Sequence, residues 1–257
     1  MMKKYNILGT SFSLLSYEDV VEMIHDSKQN GEHHYITLTP PYSVLMCQRD
    51  IPLRWATENA ALTLPDGIGI ILAAKLLGYP NCGRITGPTL ILRLCDRGRE
   101  QGLRHFFYGG GPGVAAALAE RLTAHFPGLT VAGSHCPPFH ELSPEEDAEV
   151  LQQINSTKPD IVWVGLGSPK QEKWMAEHVD RIDATAMIGV GAAFDFHSGR
   201  AKWAPAWMRK MGIEWAYRLA HEPKRMWRRN VNSFVFLARV LHQRVQDIMV
   251  GNWKHSK

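Results

Sequence analysis

The chain has 257 residues, 45% of them hydrophobic and 21% charged, a globular mixture that excludes disordered, collagen-like and disulfide-scaffold chains. One large domain, alone or with an appendage, fits this length, because a single core keeps growing to roughly 250 residues. The net charge of +4 conceals a division: residues 199–257 hold 13 Lys/Arg against three acids, while residues 1–198 hold 16 against 22.

In chain order, the segment Met1-Met-Lys-Lys4 leads into no apolar run of the length a secretory signal needs, and no stretch of about 18 apolar residues predicts a membrane span. Short, mostly apolar runs at 4–8, 35–38, 61–64, 105–108, 130–132, 161–165 and 186–190 predict strands covered on both faces. Helical stretches lie between them. Ser16-Tyr-Glu-Asp19 predicts a capping box, the Ala/Leu-rich run 113–126 a helix stopped by Pro127-Gly128, and Ser143-Pro-Glu-Glu another helix start. This alternation predicts an α/β fold, a Rossmann-like and mainly parallel sheet with helices on both faces over residues 1–198. Cys47, Cys82, Cys95 and Cys136 have neither CxxC nor zinc-ligand spacing and are expected to be reduced and buried.

From residue 199 the pattern turns wholly helical, predicting a basic helical appendage over 199–257. After Pro223, the residues Trp227, Val231, Phe234, Val235, Ala238, Leu241, Val245 and Ile248 recur at spacings of three and four, so one helix face is apolar. Five of the eight tryptophans (Trp203, Trp207, Trp215, Trp227 and Trp253) lie in this segment. Cations mixed with amphipathic aromatics suit an anionic lipid surface or a polyphosphate ligand.

Five constellations sit at strand ends, where open α/β sheets place their ligand crevice. Thr37-Leu-Thr39-Pro-Pro41 offers two hydroxyls, either as groups in a site or as the cap of a helix. Leu64-Pro-Asp66-Gly67-Ile-Gly69 offers a carboxylate that can act as a general base or merely form a turn, and Arg84-Ile-Thr86-Gly87 adds a cation. Tyr108-Gly109-Gly110-Gly111-Pro-Gly113 runs from strand to helix, where bare amides can hold phosphate, but it lacks the GxGxxG pattern of a dinucleotide fingerprint. Gly165-Leu-Gly167-Ser-Pro-Lys170-Gln171 opens another helix, with Gln171 able to hold a sugar hydroxyl. Gly189-Val-Gly191-Ala-Ala-Phe-Asp195 brings a carboxylate that can accept from a base or ribose. The sequence contains no DxD pair, HExxH, P-loop or GxSxG, so neither a metal nor a cofactor is expected.

Together these motifs, followed by Arg200-Ala-Lys-Trp-Ala-Pro205 and Glu214-Trp-Ala-Tyr-Arg218-Leu-Ala-His-Glu222-Pro-Lys-Arg225-Met-Trp-Arg228, closely resemble the WecG/TagA/CpsF glycosyltransferases (glycosyltransferase family 26) over about residues 5–245. The resemblance implies an inverting transferase in bacterial cell-surface polysaccharide synthesis. It would move a hexose-type sugar (N-acetylmannosamine, its uronic acid, or a hexose such as glucose) from a UDP donor to a polyprenyl-diphosphate-linked sugar. It also implies that Asp66 is the base, that Thr37, Arg84 and Gln171 surround the reacting sugars, and that Asp195 holds UDP. The basic segment would lie on the inner face of the cell membrane and bring Arg218, Arg225 and Arg228 to the site. One departure stands at Thr39, where the family commonly has asparagine. The opposing reading is a non-catalytic nucleotide or nucleic-acid binding module with a basic tail, against which the acidic first segment argues. Nucleic acid is therefore not expected as a partner, and association with further copies of the chain stays open.

Overall fold

A computed structural model describes residues 3–249, apart from the side chains of Arg225 and of residues 228–231. The chain opens with β1 (Lys4–Ile7) and β2 (Thr10–Ser13), then α1 (Tyr17–Asn30), β3 (His34–Thr39), α2 (Pro41–Cys47), α3 (Ile51–Glu58), β4 (Leu62–Pro65), α4 (Ile68–Leu76) and α5 (Gly87–Arg97). There follow β5 (Arg104–Gly109), α6 (Val114–His125), β6 (Thr130–His135), α7 (Pro144–Ser156), β7 (Ile161–Gly165), α8 (Lys170–His178), β8 (Ala186–Gly189) and α9 (Ala193–Ser198). The last three helices are α10 (Ala206–Met211), α11 (Glu214–His221) and α12 (Pro223–Met249). Among the described residues no helix is long and apolar enough to cross a membrane.

Six strands form one parallel sheet in the order β4-β3-β8-β7-β5-β6. The period of two along each strand divides its apolar residues between the faces. Ile36, Leu38, Leu62, Leu64, Phe107, Trp163 and Ile188 pack with residues of α1, α5, α6 and α9, while Tyr35, Phe106, Tyr108, Val162 and Met187 pack with residues of α7 and α8. The chain leaves β5 for β6 on one side and β7 for β8 on the other, so the sheet has a topological switch point between the ends of β5 and β7.

Two expectations are corrected. Residues 4–8 were expected to join the parallel sheet; instead β1 pairs antiparallel with β2 in a separate hairpin. A parallel partner needs a crossover of about a dozen residues. Here Leu8 and Gly9, at φ 52° and 88°, reverse the chain at once in the left-handed geometry of a two-residue hairpin turn. Of the cysteines, Cys47, Cys82 and Cys95 are buried, but Cys136 is half-exposed beyond the end of β6, an edge strand half-buried along its length.

The helix starts at Ser16 and Ser143 form complete capping boxes, with Pro144 in the first turn of α7. In α12 the contact with the core is made by Phe236 and Val240, both fully buried in a cluster with Ile7, Phe12, Val44 and Ile70. The apolar face expected from spacing points elsewhere: Trp227, Phe234, Val235, Leu241, Val245 and Ile248 are exposed. At about 100° of rotation per residue these are two different faces, so α12 is apolar on both its core side and its solvent side. Val231 falls among the undescribed side chains, and Trp253 lies outside the described residues.

Candidate active site

The ends of β3 and β4 bring Thr37, Thr39 and Asp66 together. The Asp66 amide donates to the Thr39 carbonyl at 3.3 Å, which continues the strand pairing one residue further and places the half-buried Asp66 beside Thr39. Gly67 then turns at φ 85° to start α4, and the Pro41 ring at the start of α2 packs against Gly69. Thr37 and Thr39 are buried at 0% and 2% exposure, and neither caps α2, whose N-cap is Pro40.

Their hydroxyls belong to a directed file. Thr63 donates to the Thr57 carbonyl at 2.9 Å, Thr37 donates to Thr63 at 3.3 Å, and Thr39 lies 3.5 Å behind Thr37. The terminal carbonyl can only accept, so each hydrogen points into the protein. The lone pairs of Thr39 are thereby left to accept from a ligand. Ser43 of α2 lies 3.2 Å, hydroxyl to hydroxyl, from Ser168 in the loop before α8.

Gln171 stands in the first turn of α8 at 4% exposure, over the end of β8. Its Oε1 accepts from the Gly167 amide at 3.2 Å and its Nε2 donates to Glu172 Oε1 at 3.1 Å. A Cβ added at Gly189 would come within 2.9 Å of Nε2, and one at Gly191 within 3.5 Å of Oε1, so the amide lies across both glycines. Thr37 pairs with Gly189 in the sheet, which puts Gln171 next to the threonine file. Lys170, one residue earlier, is exposed.

Across the switch point, Gly109, at φ 124°, approaches Gly165 so closely that an added Cβ would meet its backbone at 2.7 Å, and the Gly110 amide donates to the Gly165 carbonyl at 3.1 Å. The adjoining Gly111 lies under the exposed Arg200, whose guanidinium occupies the space a Cβ there would need. Arg200 thus supplies a cation to the glycine loop. The Cys136 thiol donates to the Gly110 carbonyl at 3.1 Å; burial pushes its pKa up while Arg200 opposes that rise.

Arg84 and Arg218 join the α/β part to the appendage from opposite sides, Arg84 reaching α10 and Arg218 reaching α9. Arg84, running beside β4 through the Ile85-to-Pro65 backbone bond, donates to the Arg209 carbonyl in the last turn of α10 at 2.6 Å. The Arg209 guanidinium lies 3.6 Å over Trp203, which stacks on Phe196 of α9, and Arg218 of α11 lies 5.4 Å over that same Phe196. Each such cation–π contact is worth about 0.5–2 kcal/mol. They tie the basic helices to α9, which carries the half-buried Asp195 in its first turn. His197 on that helix binds the Pro88 carbonyl at 2.7 Å, and burial lowers its pKa, with Arg209 adding to the effect. The side chains of Arg225 and Arg228 lie outside the described residues.

The structure therefore gathers Thr37, Thr39, Asp66, Gly67, Gln171 and Gly191 along the β4-β3-β8 end of the crevice. Gly109, Gly110, Gly111, Gly165 and Gly167 line the β5-β7 end. Sequence reasoning missed Thr63, Arg200, Arg209 and Glu172. Two of them carried a signal, Thr63 as a polar residue inside an otherwise apolar strand and Arg200 as the first residue of a family-like motif. Among the described residues no group of three or more His, Cys, Asp or Glu could hold a metal ion.

The glycosyl transferase WecG/TagA/CpsF family model matches residues 5–248. Three similar proteins are each named N-acetylglucosaminyldiphosphoundecaprenol N-acetyl-beta-D-mannosaminyltransferase. That of Bacillus spizizenii is 35% identical over 73% of this chain and 71% of its own length. Those of Bacillus subtilis and Staphylococcus aureus strain MW2 are 27% and 30% identical, covering 93% and 88% of this chain and 90% and 87% of their own.

Proposed function

The chain belongs to the glycosyl transferase WecG/TagA/CpsF family and is a glycosyltransferase, and from that premise we propose that it moves a hexose-type sugar from a UDP donor to a polyprenyl-diphosphate-linked sugar. The observation that carries this reading is the placement of Asp66 against Thr39, at the strand ends over which Gln171 also lies. The names of the relatives make N-acetylmannosamine the first donor sugar to test and an N-acetylglucosamine-bearing lipid diphosphate the first acceptor.

In the proposed transfer the Asp66 carboxylate takes the proton of the acceptor hydroxyl while its oxygen attacks the anomeric carbon. The bond from that carbon to the diphosphate breaks and UDP leaves, inverting the centre. A sugar hydroxyl is a poor nucleophile, and a positioned base contributes about 10²–10⁴ in rate. The charge developing on the diphosphate needs preorganised donors, for which Arg200, against the glycine loop at Gly111, and Arg84 and Arg218 are the candidates among the described residues. Thr37, Thr39 and Gln171 hold the sugars, and Asp195 holds the nucleotide.

The second apolar face of α12, the exposed Trp207 and Trp215, and the +10 charge of residues 199–257 support docking on the anionic inner face of the cell membrane. There the lipid-linked acceptor is presented. On this reading the α/β part, 1–198, performs the transfer and 199–257 is the membrane-facing appendage.

The test is UDP release from a panel of UDP-sugars with and without the polyprenyl-diphosphate acceptor. Acceptor-dependent release with one donor is the expected result. A folded protein that fails to bind UDP refutes the proposal.

A further inference from the structure

The carboxylate beside Gln171 has no part in the transfer as proposed, yet Glu172 is only 2% exposed. Burying a carboxylate is costly unless hydrogen bonds and local charge compensate it. Compensation is visible on two sides: Glu172 is the third residue of α8, where the helix dipole favours negative charge, and its Oε1 accepts from Gln171 Nε2 at 3.1 Å. At the other end of the same amide, the Gly167 N–H donates to Oε1 at 3.2 Å. A backbone amide only donates and a carboxylate accepts, so the two contacts admit a single orientation of the Gln171 side chain.

We propose that Glu172 is a positioning residue that clamps the Gln171 amide, fixing which of its ends meets the sugar. One Nε2 hydrogen is committed to Glu172 and one Oε1 lone pair to Gly167. The second hydrogen and the second lone pair are left at defined places above Gly189 and Gly191. Without the carboxylate the amide can turn over, exchanging donor for acceptor against the ligand. This inference rests on the crevice being the site of sugar transfer.

The experiment is a double-mutant cycle of Glu172→Met and Gln171→Met on acceptor-dependent UDP release, with Glu172→Gln as the conservative rescue. The Gln171 side-chain amide signal is followed by NMR hydrogen exchange in the substrate-free protein. The expected result is a roughly tenfold to hundredfold loss of kcat/KM in Glu172→Met, the cost of a misplaced contact group. Little further loss is expected when Gln171 is already Met. Glu172→Gln, which still presents an acceptor oxygen, should retain most of the rate. Losses that multiply across the cycle overturn the proposal. Equal exchange of the Gln171 amide protons in wild type and Glu172→Met also overturns it, and this readout stands even if no donor supports turnover and the transferase reading fails. Should Glu172→Met not fold, Glu172→Asp keeps the charge but withdraws the acceptor, and the same cycle and exchange readout apply.

Discussion

Replacing His105 with asparagine tests how burial in the sheet sets the acid stability of this protein. His105 lies in the interior of β5, fully buried between β6 and β7, and its Nδ1 accepts from Trp163 Nε1 at 3.0 Å. The proton of the neutral ring is therefore on Nε2, which finds no partner among the described residues. Burial pushes the imidazole down from 6.5 to about 4, with the charge of Asp160 opposing the shift. The folded protein thus binds this proton less readily than the unfolded chain. The contribution of a neutral His105 is complete above pH 6.5 and is lost as pH falls toward 4. At about 1.4 kcal/mol per pH unit, this gap comes to roughly 3 kcal/mol.

Asparagine can present an oxygen to Trp163 but does not titrate. Urea unfolding of both proteins at pH 7, 6, 5 and 4 measures the effect. Acidic residues held low in the native state, such as Asp50 beside Lys173, act in both proteins and cancel. The variant, less stable at pH 7 for its smaller side chain, should close the gap by roughly 3 kcal/mol as the pH reaches 4. A stability difference that stays constant across the series refutes the assignment.

Asp66→Asn should leave UDP binding intact and lower turnover by about 10²–10⁴, as measured by steady-state kinetics beside UDP titration. Thr63→Val removes both the donor to the Thr57 carbonyl and the acceptor for Thr37; a loss of about 1–3 kcal/mol in urea unfolding and a raised donor KM are expected. The two faces of α12 should separate cleanly: Phe236→Ala destabilises by about 3–5 kcal/mol. Phe234→Ser with Leu241→Ser should instead leave stability nearly unchanged and weaken flotation with anionic vesicles. Treatment with EDTA should leave turnover in place, because the leaving diphosphate is met by arginines; activity lost and restored by Mg²⁺ would contradict this.

Much of the architecture depends on near neighbours and can be read along the chain. The capping boxes at Ser16 and Ser143 close within four residues, the doubly buried strands announce themselves as short, mostly apolar runs, and the basic, tryptophan-rich end is a matter of counting. The strand-end motifs carrying Thr37, Asp66, Gln171 and Asp195 were visible for the same reason, since each is a strand meeting a helix through glycine or proline. What the tertiary structure alone decided depends on residues far apart in sequence. A glutamate in the first turn of a helix reads as a surface residue until α8 settles over β8 and buries Glu172. Two apolar stripes on α12 look alike in sequence, and only the hairpin with α2 and α4 selects Phe236 and Val240 for the core, leaving the other stripe to solvent. Arg84 and Arg209 are 125 positions apart, as are Ser43 and Ser168, and such contacts form only once the helices and loops that carry them have packed around the sheet.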